Sequence, residues 1–221
     1  MRLFQTLLCV GALLLCLPAW ADSPNAHDVA ERVDRHYNAL SSLKTEFTET
    51  YRGSGISRNE SGVMYLKKPG RMRWDYEIPR KKLFLTDGKT AWFYVPGERQ
   101  ARRTSIKTLD DLRSPLRYLL GHSKLEKEFH DLAVMTSGAN AAPGDIVLRG
   151  IPKGMEDQVQ EVQLEIAPNG SIVRISIEEL DGGFTEFRFQ HPEENVQLSD
   201  ASFKFTPPPG VEVMNATELE P

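Results

Sequence analysis

Residues 62–74, GVMYLKKPGRMRW, carry the pattern that decides the fold. Apolar side chains fall on every second residue on both sides of a central break. These are Met64, Leu66, Met72 and Trp74. A period of two is typical of β-strands, in which alternate side chains point to opposite faces. The break, Lys-Pro-Gly at 68–70, is a turn sequence. We therefore expect two antiparallel strands joined by a short turn.

The same alternation extends along most of the chain. It is seen before this stretch at Phe47 and Tyr51, after it at Trp92 and Tyr94, and again between residues 162 and 189. Turn sequences separate the runs at spacings of about 8 to 12 residues, which is typical of an antiparallel meander. They are Ile78-Pro79, Asp87-Gly88, Pro96-Gly97, Asn169-Gly170 and Gly182-Gly183. The pattern predicts a mainly β (α+β) protein with about eleven strands.

Two helical regions interrupt the strands. Ser23-Pro24 resembles an N-cap followed by proline, and apolar residues at helical spacing then predict a helix over about 24–41. A leucine-rich insertion predicts two short helices, at about 109–113 and 115–121. This insertion either packs permanently against the sheet or forms a movable cover over a cavity, and the pattern alone leaves both open.

The first 21 residues have the features of a secretory signal peptide. A positive start at Arg2 precedes an apolar run from Leu7 to Leu17 and an A-x-A cleavage site at 19–21. The alternative is an uncleaved anchor, but the run is shorter than the roughly 20 residues that a spanning helix needs. We expect cleavage, with residues 22–221 forming a single domain. Both cysteines, Cys9 and Cys16, belong to the leader, so the mature chain has no disulfide.

Composition and motifs argue against several classes of function. The chain has 27 Lys and Arg against 31 Asp and Glu, which is not the basic excess expected of a nucleic-acid-binding protein. The five histidines form no His-x-x-x-His pair, and neither a G-x-S-x-G elbow nor a phosphate-binding loop is present. Asp87 is explained by its hairpin turn. The sequence predicts no catalytic residues, metal site or cofactor, and hence a protein that is not an enzyme.

Three ordered motifs resemble those of a known family. They are residues 62–74, residues 87–96 (DGKTAWFYVP) followed by Gln100, and residues 203–211 (FKFTPPPGV). Together they are similar to the periplasmic outer-membrane lipoprotein carriers of the LolA family, over nearly the whole mature chain. The resemblance implies an incomplete antiparallel β-barrel with a helical lid over a hydrophobic cavity.

The resemblance also implies a function and partners. Members of this family are periplasmic chaperones that take acylated lipoproteins from an inner-membrane ABC-type release complex and pass them to an outer-membrane acceptor. We expect this chain to do the same as a monomer. The alternative from the same fold is a general lipid-binding or envelope-stress-sensing module.

Site residues follow from strand parity and from the resemblance. Parity places one set of apolar residues on a single face of the sheet, which we expect to line the lipid-binding cavity together with Tyr37 of the first helix. The set comprises Phe47, Tyr51, Met64, Leu66, Met72 and Trp74. The resemblance assigns lid residues in the insertion: Leu112, Leu116, Leu119 and Leu120. It also assigns Lys68 as the lid latch, at a position where other members have an arginine that bonds to lid carbonyls.

Overall fold

A computed structural model describes residues 25–106, 124–135 and 140–216. Within these residues the chain forms one large sheet, a 14-residue helix, a one-turn helix and a short 3-10 helix at Asp200–Phe203. The helices are α1 (Ala26–Ala39) and α2 (Leu125–Glu128). The strands are β1 (Ser42–Gly53), β2 (Ile56–Lys67), β3 (Arg71–Ile78), β4 (Lys82–Asp87), β5 (Thr90–Tyr94), β6 (Gln100–Ser105), β7 (Phe129–Val134), β8 (Ile146–Pro152), β9 (Val159–Ile166), β10 (Ile172–Glu179), β11 (Phe184–Glu194) and β12 (Glu212–Asn215).

The sheet has twelve strands in the order β12-β6-β5-β4-β3-β2-β1-β11-β10-β9-β8-β7. Strands β1 to β6 form one meander and β7 to β11 a second, and the pairing of β1 with β11 joins them. Neighbouring strands are antiparallel except β12, which pairs with β6 in parallel. The predicted antiparallel, mainly β fold is confirmed. The described residues form twelve strands where about eleven were predicted, and the four residues of β12 are all exposed, without alternating burial.

Helix α1 is shorter than the sequence predicted, and its cap is different. It begins at Ala26, and the side chain of Asn25 accepts a hydrogen bond from the backbone N–H of Asp28. The prediction that Ser23-Pro24 starts the helix was therefore wrong, because the Asn25 side chain satisfies a free N–H of the first turn. The expected apolar stripe is confirmed, since Val29, Val33 and Tyr37 are buried.

The predicted hairpin turns are present. Between β4 and β5, the Asp87 carboxylate accepts hydrogen bonds from the backbone N–H groups of Lys89 and Thr90, both at 2.8 Å. Gly88 has a φ of +92°, a backbone conformation that side chains with a Cβ rarely adopt. Asp87 thus shapes a turn, as its sequence context indicated.

The two faces of the sheet are covered differently. We call the face that packs against α1 the inner face and the opposite one the outer face. Inner-face residues join Val29, Val33 and Tyr37 of α1 in one buried apolar cluster. On the outer face, Phe205 lies 5.3 Å from the rings of both Trp92 and Tyr94, so the segment after β11 covers this side.

Several predictions concern residues outside the described ranges. They are the signal peptide at 1–21 and the two lid helices at 109–113 and 115–121, with Leu112, Leu116, Leu119 and Leu120. Among the helices that the structure does describe, none has the length and apolar character needed to cross a bilayer.

Candidate functional site

Strand register brings the predicted cavity residues onto the inner face. Residues directly opposite in an antiparallel pair share a face, and Leu66 lies opposite Met72 as Met64 lies opposite Trp74. These four side chains are between 0% and 6% exposed. Phe47 is equally buried, whereas Tyr51, near the end of β1, is half-buried. The structure thus places the six strand residues on one face; their contact with lipid stays a prediction.

Tyr37 attaches α1 to the inner face. Its ring is buried and its hydroxyl accepts a hydrogen bond of 3.1 Å from the backbone N–H of Ile172, at the start of β10. Burial raises the pKa of the Tyr37 hydroxyl well above its ordinary value. The helix is therefore fixed to the sheet by a polar contact inside an apolar surrounding.

Aromatic rings form the centre of the inner face. The Trp74 ring meets Phe47 edge-on at 4.6 Å and Phe187 at 5.7 Å, and Phe47 meets Tyr76 at 4.9 Å. Such edge-to-face pairs stabilise the fold in addition to the stabilisation gained by burying apolar surface. Among the described residues, the buried indole N–H of Trp74 meets no hydrogen-bond acceptor. The described part of this surface is thus apolar and rich in aromatic rings.

Small voids follow the seam between α1 and the sheet. One of about 10 Å³ lies between Tyr37 and Leu40 of the helix end and Leu66 of β2. A second, of about 40 Å³, borders Tyr37, Met64 and Ile172. Spaces of this size hold at most a water molecule or two. An acyl chain fits neither of these two voids unless side chains or the helix move.

Lys68 lies in the turn between β2 and β3 and reaches the C-terminus of α1. Its ammonium donates to the carbonyl oxygens of Tyr37 at 2.5 Å and Asn38 at 3.2 Å. These carbonyls belong to the last helical turn, where the helix dipole favours a cation. The Tyr37 carbonyl also accepts a hydrogen bond of 3.2 Å from the backbone N–H of Leu40. Partial burial lowers the pKa of the Lys68 ammonium. Its predicted bond to the lid involves residues outside the described ranges and stays a prediction.

A buried polar cluster on the inner face was missed by sequence reasoning. Glu49 and Glu60 lie opposite each other on β1 and β2, and both are buried. The Tyr76 hydroxyl donates to Glu49 at 2.9 Å, and Lys82 pairs with Glu60 at 2.5 Å. Burial raises the pKa of the Glu49 carboxyl, against the opposing effect of the bond from Tyr76. Parity was the available signal, because Glu49 shares its face with Phe47.

The fold and the buried inner face define a class of protein: an open antiparallel half-barrel whose apolar face is covered by an N-terminal helix. The chain belongs to the LolA family. The family model described as outer membrane lipoprotein carrier protein LolA matches residues 38–206, which is most of the chain.

Similar proteins carry the same description. An outer-membrane lipoprotein carrier protein of Nitrosospira multiformis is 30% identical over 178 residues, covering 78% of this chain and 82% of that protein. One from Erwinia tasmaniensis is 28% identical over 206 residues, covering 93% and 94%. Among solved structures, a LolA superfamily protein from Nitrosomonas europaea is 14% identical, covers 83% of this chain and 99% of that one, and has a TM-score of 0.46.

Proposed function

We propose that this protein is a periplasmic chaperone that carries lipoproteins. In this proposal it binds the acyl chains of lipoproteins released by an inner-membrane ABC-type complex and delivers them to an outer-membrane acceptor, acting as a monomer after its signal peptide is cleaved. The observation that carries the proposal is the inner face, where Met64, Met72 and Trp74 present a continuous apolar surface beneath α1. The names of the relatives agree with it.

The energetics suit a carrier. Burying an acyl chain gains roughly 0.8 kcal/mol per CH2, so a long chain that is fully enclosed gains on the order of 10 kcal/mol. A carrier that bound its cargo with all of this energy would release it too slowly. Because the two described voids in the seam measure about 10 and 40 Å³, an acyl chain can occupy either of them only after rearrangement. Exposing Tyr37 and Leu40 alone costs about 3 to 6 kcal/mol, which offsets part of the gain.

In this proposal, the elements that cover the inner face compete with the cargo for that face. Whatever stabilises the cargo-free, closed state weakens binding by the same free energy, because the ligand binds the open state. We assign this role to two covers. The first is the pair of lid helices that the sequence predicts at 109–113 and 115–121. The second is the end of α1, held by Tyr37 and Lys68. Methionine at positions 64 and 72 suits variable chains, since its unbranched side chain adapts to irregular spaces.

Single cysteines test this proposal. The chain from residue 22 onward contains no cysteine, so each engineered thiol is unique. We expect Leu66→Cys, on the inner face, to react with a lipophilic maleimide more slowly once lipoprotein is bound. The matched control is Tyr65→Cys, one residue away and on the outer face by strand parity. Protection of residue 66 but not 65 supports lipid binding to the inner face. Equal labelling with and without lipoprotein at both positions contradicts it.

A further inference from the structure

A charged cleft opens at one end of the inner face, beyond the apolar cluster. Its volume is about 360 Å³, far larger than the voids beside α1. We call it the basic cleft, because its lining has four cations and two carboxylates. The lining residues are Arg58, Glu60, Arg80, Lys82, Phe93, Val95, Glu98 and Arg102. None of the predicted site residues that the structure describes is in this lining.

The carboxylates of the basic cleft are already paired. Glu60 lies 2.5 Å from Lys82 and 3.3 Å from Arg58, and Glu98 lies 2.5 Å from Arg80. Arg102 differs: its guanidinium lies over the Phe93 ring at 5.3 Å and makes no ion pair within the part of the chain that is described. Its side chain is exposed, so its donors face the open cleft. Among the described lining residues, positive charge is therefore in excess.

An apolar row connects this cation to the interior. Across four successive strands, Trp74 lies opposite Phe84, Phe84 opposite Phe93, and Phe93 opposite Arg102. Directly opposed residues share a face, so the row lies on the inner face. With strands about 4.8 Å apart, it extends roughly 14 Å from Trp74 to Arg102. The row begins in the buried cluster and ends in the basic cleft.

We propose that the basic cleft binds the anionic head of an amphiphile, a carboxylate or a phosphate, while its hydrocarbon chain lies along Phe93 and Phe84. The planar guanidinium of Arg102 matches both heads, because its fork donates two parallel hydrogen bonds to paired anionic oxygens. The aromatic row offers an apolar surface for the hydrocarbon chain, and this surface begins next to the site that holds the anionic head. This inference rests on the proposed function, because it requires the inner face to accept acyl chains.

Binding measurements on three probes test the inference, with both amphiphiles kept below their micelle-forming concentrations. The probes are dodecyl phosphate, the neutral dodecyl maltoside with the same chain, and inorganic phosphate. We expect the protein to bind dodecyl phosphate about tenfold more tightly than dodecyl maltoside, the effect of one charge-assisted contact. Arg102→Gln should reduce this preference to within about twofold. The matched control is Arg103→Gln, since Arg103 lies over Trp92 on the outer face; it should keep the preference.

The outcomes separate the possibilities. Loss of the preference in Arg102→Gln alone supports the inference. The inference is overturned if the wild type shows no preference, if both variants behave alike, or if inorganic phosphate binds as tightly as dodecyl phosphate, which would indicate a site for free anions. When dodecyl maltoside binds but Arg102→Gln changes nothing, the proposed function stands and only this inference fails. When neither amphiphile binds, the proposed function fails too.

Discussion

Replacing Lys68 by leucine should weaken the closed state and strengthen cargo binding. The Lys68 ammonium donates to two carbonyls in the last turn of α1, at 2.5 and 3.2 Å. Leucine has a comparable apolar stem but no donor and no charge. The change therefore removes the bonds that hold the end of the helix, while the buried contacts of Tyr37 remain.

The magnitude follows from those two bonds. A hydrogen bond from a charged group contributes about 1.5 to 3 kcal/mol, and a cation at a helix C-terminus about 0.3 to 1 kcal/mol. Because Lys68 is half-exposed and solvent screens its charge, we expect a total of about 1 to 2 kcal/mol. The free energy of unfolding should fall by about this amount. Affinity for an acylated ligand should rise between about fivefold and thirtyfold, because the closed competitor is weakened equally.

The assay combines urea unfolding with binding and transfer of a radiolabelled lipoprotein. Lys67→Leu is the matched control: Lys67 bonds to the carbonyl oxygen of Leu198 and to Asp200, both in the segment after β11. It should lower stability without changing affinity, whereas Lys68→Leu should bind more tightly and release cargo to acceptor-containing membranes more slowly. Lys68→Arg, which keeps the cation, should behave like the wild type. If Lys68→Leu binds cargo no more tightly than Lys67→Leu does, the end of α1 does not compete with cargo.

The remaining predictions concern the buried carboxylate and one glycine. Glu49 holds its proton to higher pH in the folded chain than its ordinary value of 4.5, so the folded state binds more protons and stability falls as pH rises above that value. Glu49→Gln should remove this pH-dependent fall in stability. From pH 4.5 to 7 the urea midpoint of the variant should therefore rise relative to that of the wild type. A constant difference between the two midpoints over this range would contradict a raised pKa of Glu49. Gly62→Ala should lower the free energy of unfolding by roughly 2 kcal/mol or more, because the added Cβ overlaps the carbonyl oxygen of Asp75. An unchanged urea midpoint would contradict this, because it would mean that β2 and β3 move apart at this point without loss of stability.

Much of the sheet could be predicted because its signals are local. The period of two around Met64 and Trp74 defines strand faces, and Asp87-Gly88 specifies a hairpin from its own side chain and backbone. Strand β12 could not be found in this way. Its four residues are exposed, and their pairing with β6 depends on a partner more than 100 residues earlier in the chain.

The candidate site was only partly predictable, for a related reason. Parity placed Phe47 and Leu66 on one face, but it also placed Glu49 there, and a carboxylate contradicts the expectation of an apolar wall. Only the fold reveals the groups that make this burial tolerable, namely Tyr76 and the cations near Glu60. The contact of Lys68 with α1 is equally non-local, since 30 residues separate the ammonium from Asn38.

Quenching of tryptophan emission tests the binding of acyl chains to the inner face most directly. Without residues 1–21 the chain retains two of its three tryptophans, Trp74 on the inner face and Trp92 on the outer face. A lipopeptide with brominated acyl chains quenches only an indole that its chains approach closely. We predict that it quenches most of the emission of Trp92→Phe, in which Trp74 remains, and little of the emission of Trp74→Phe, in which Trp92 remains. Equal quenching of both variants, or quenching of Trp92 alone, would contradict the account.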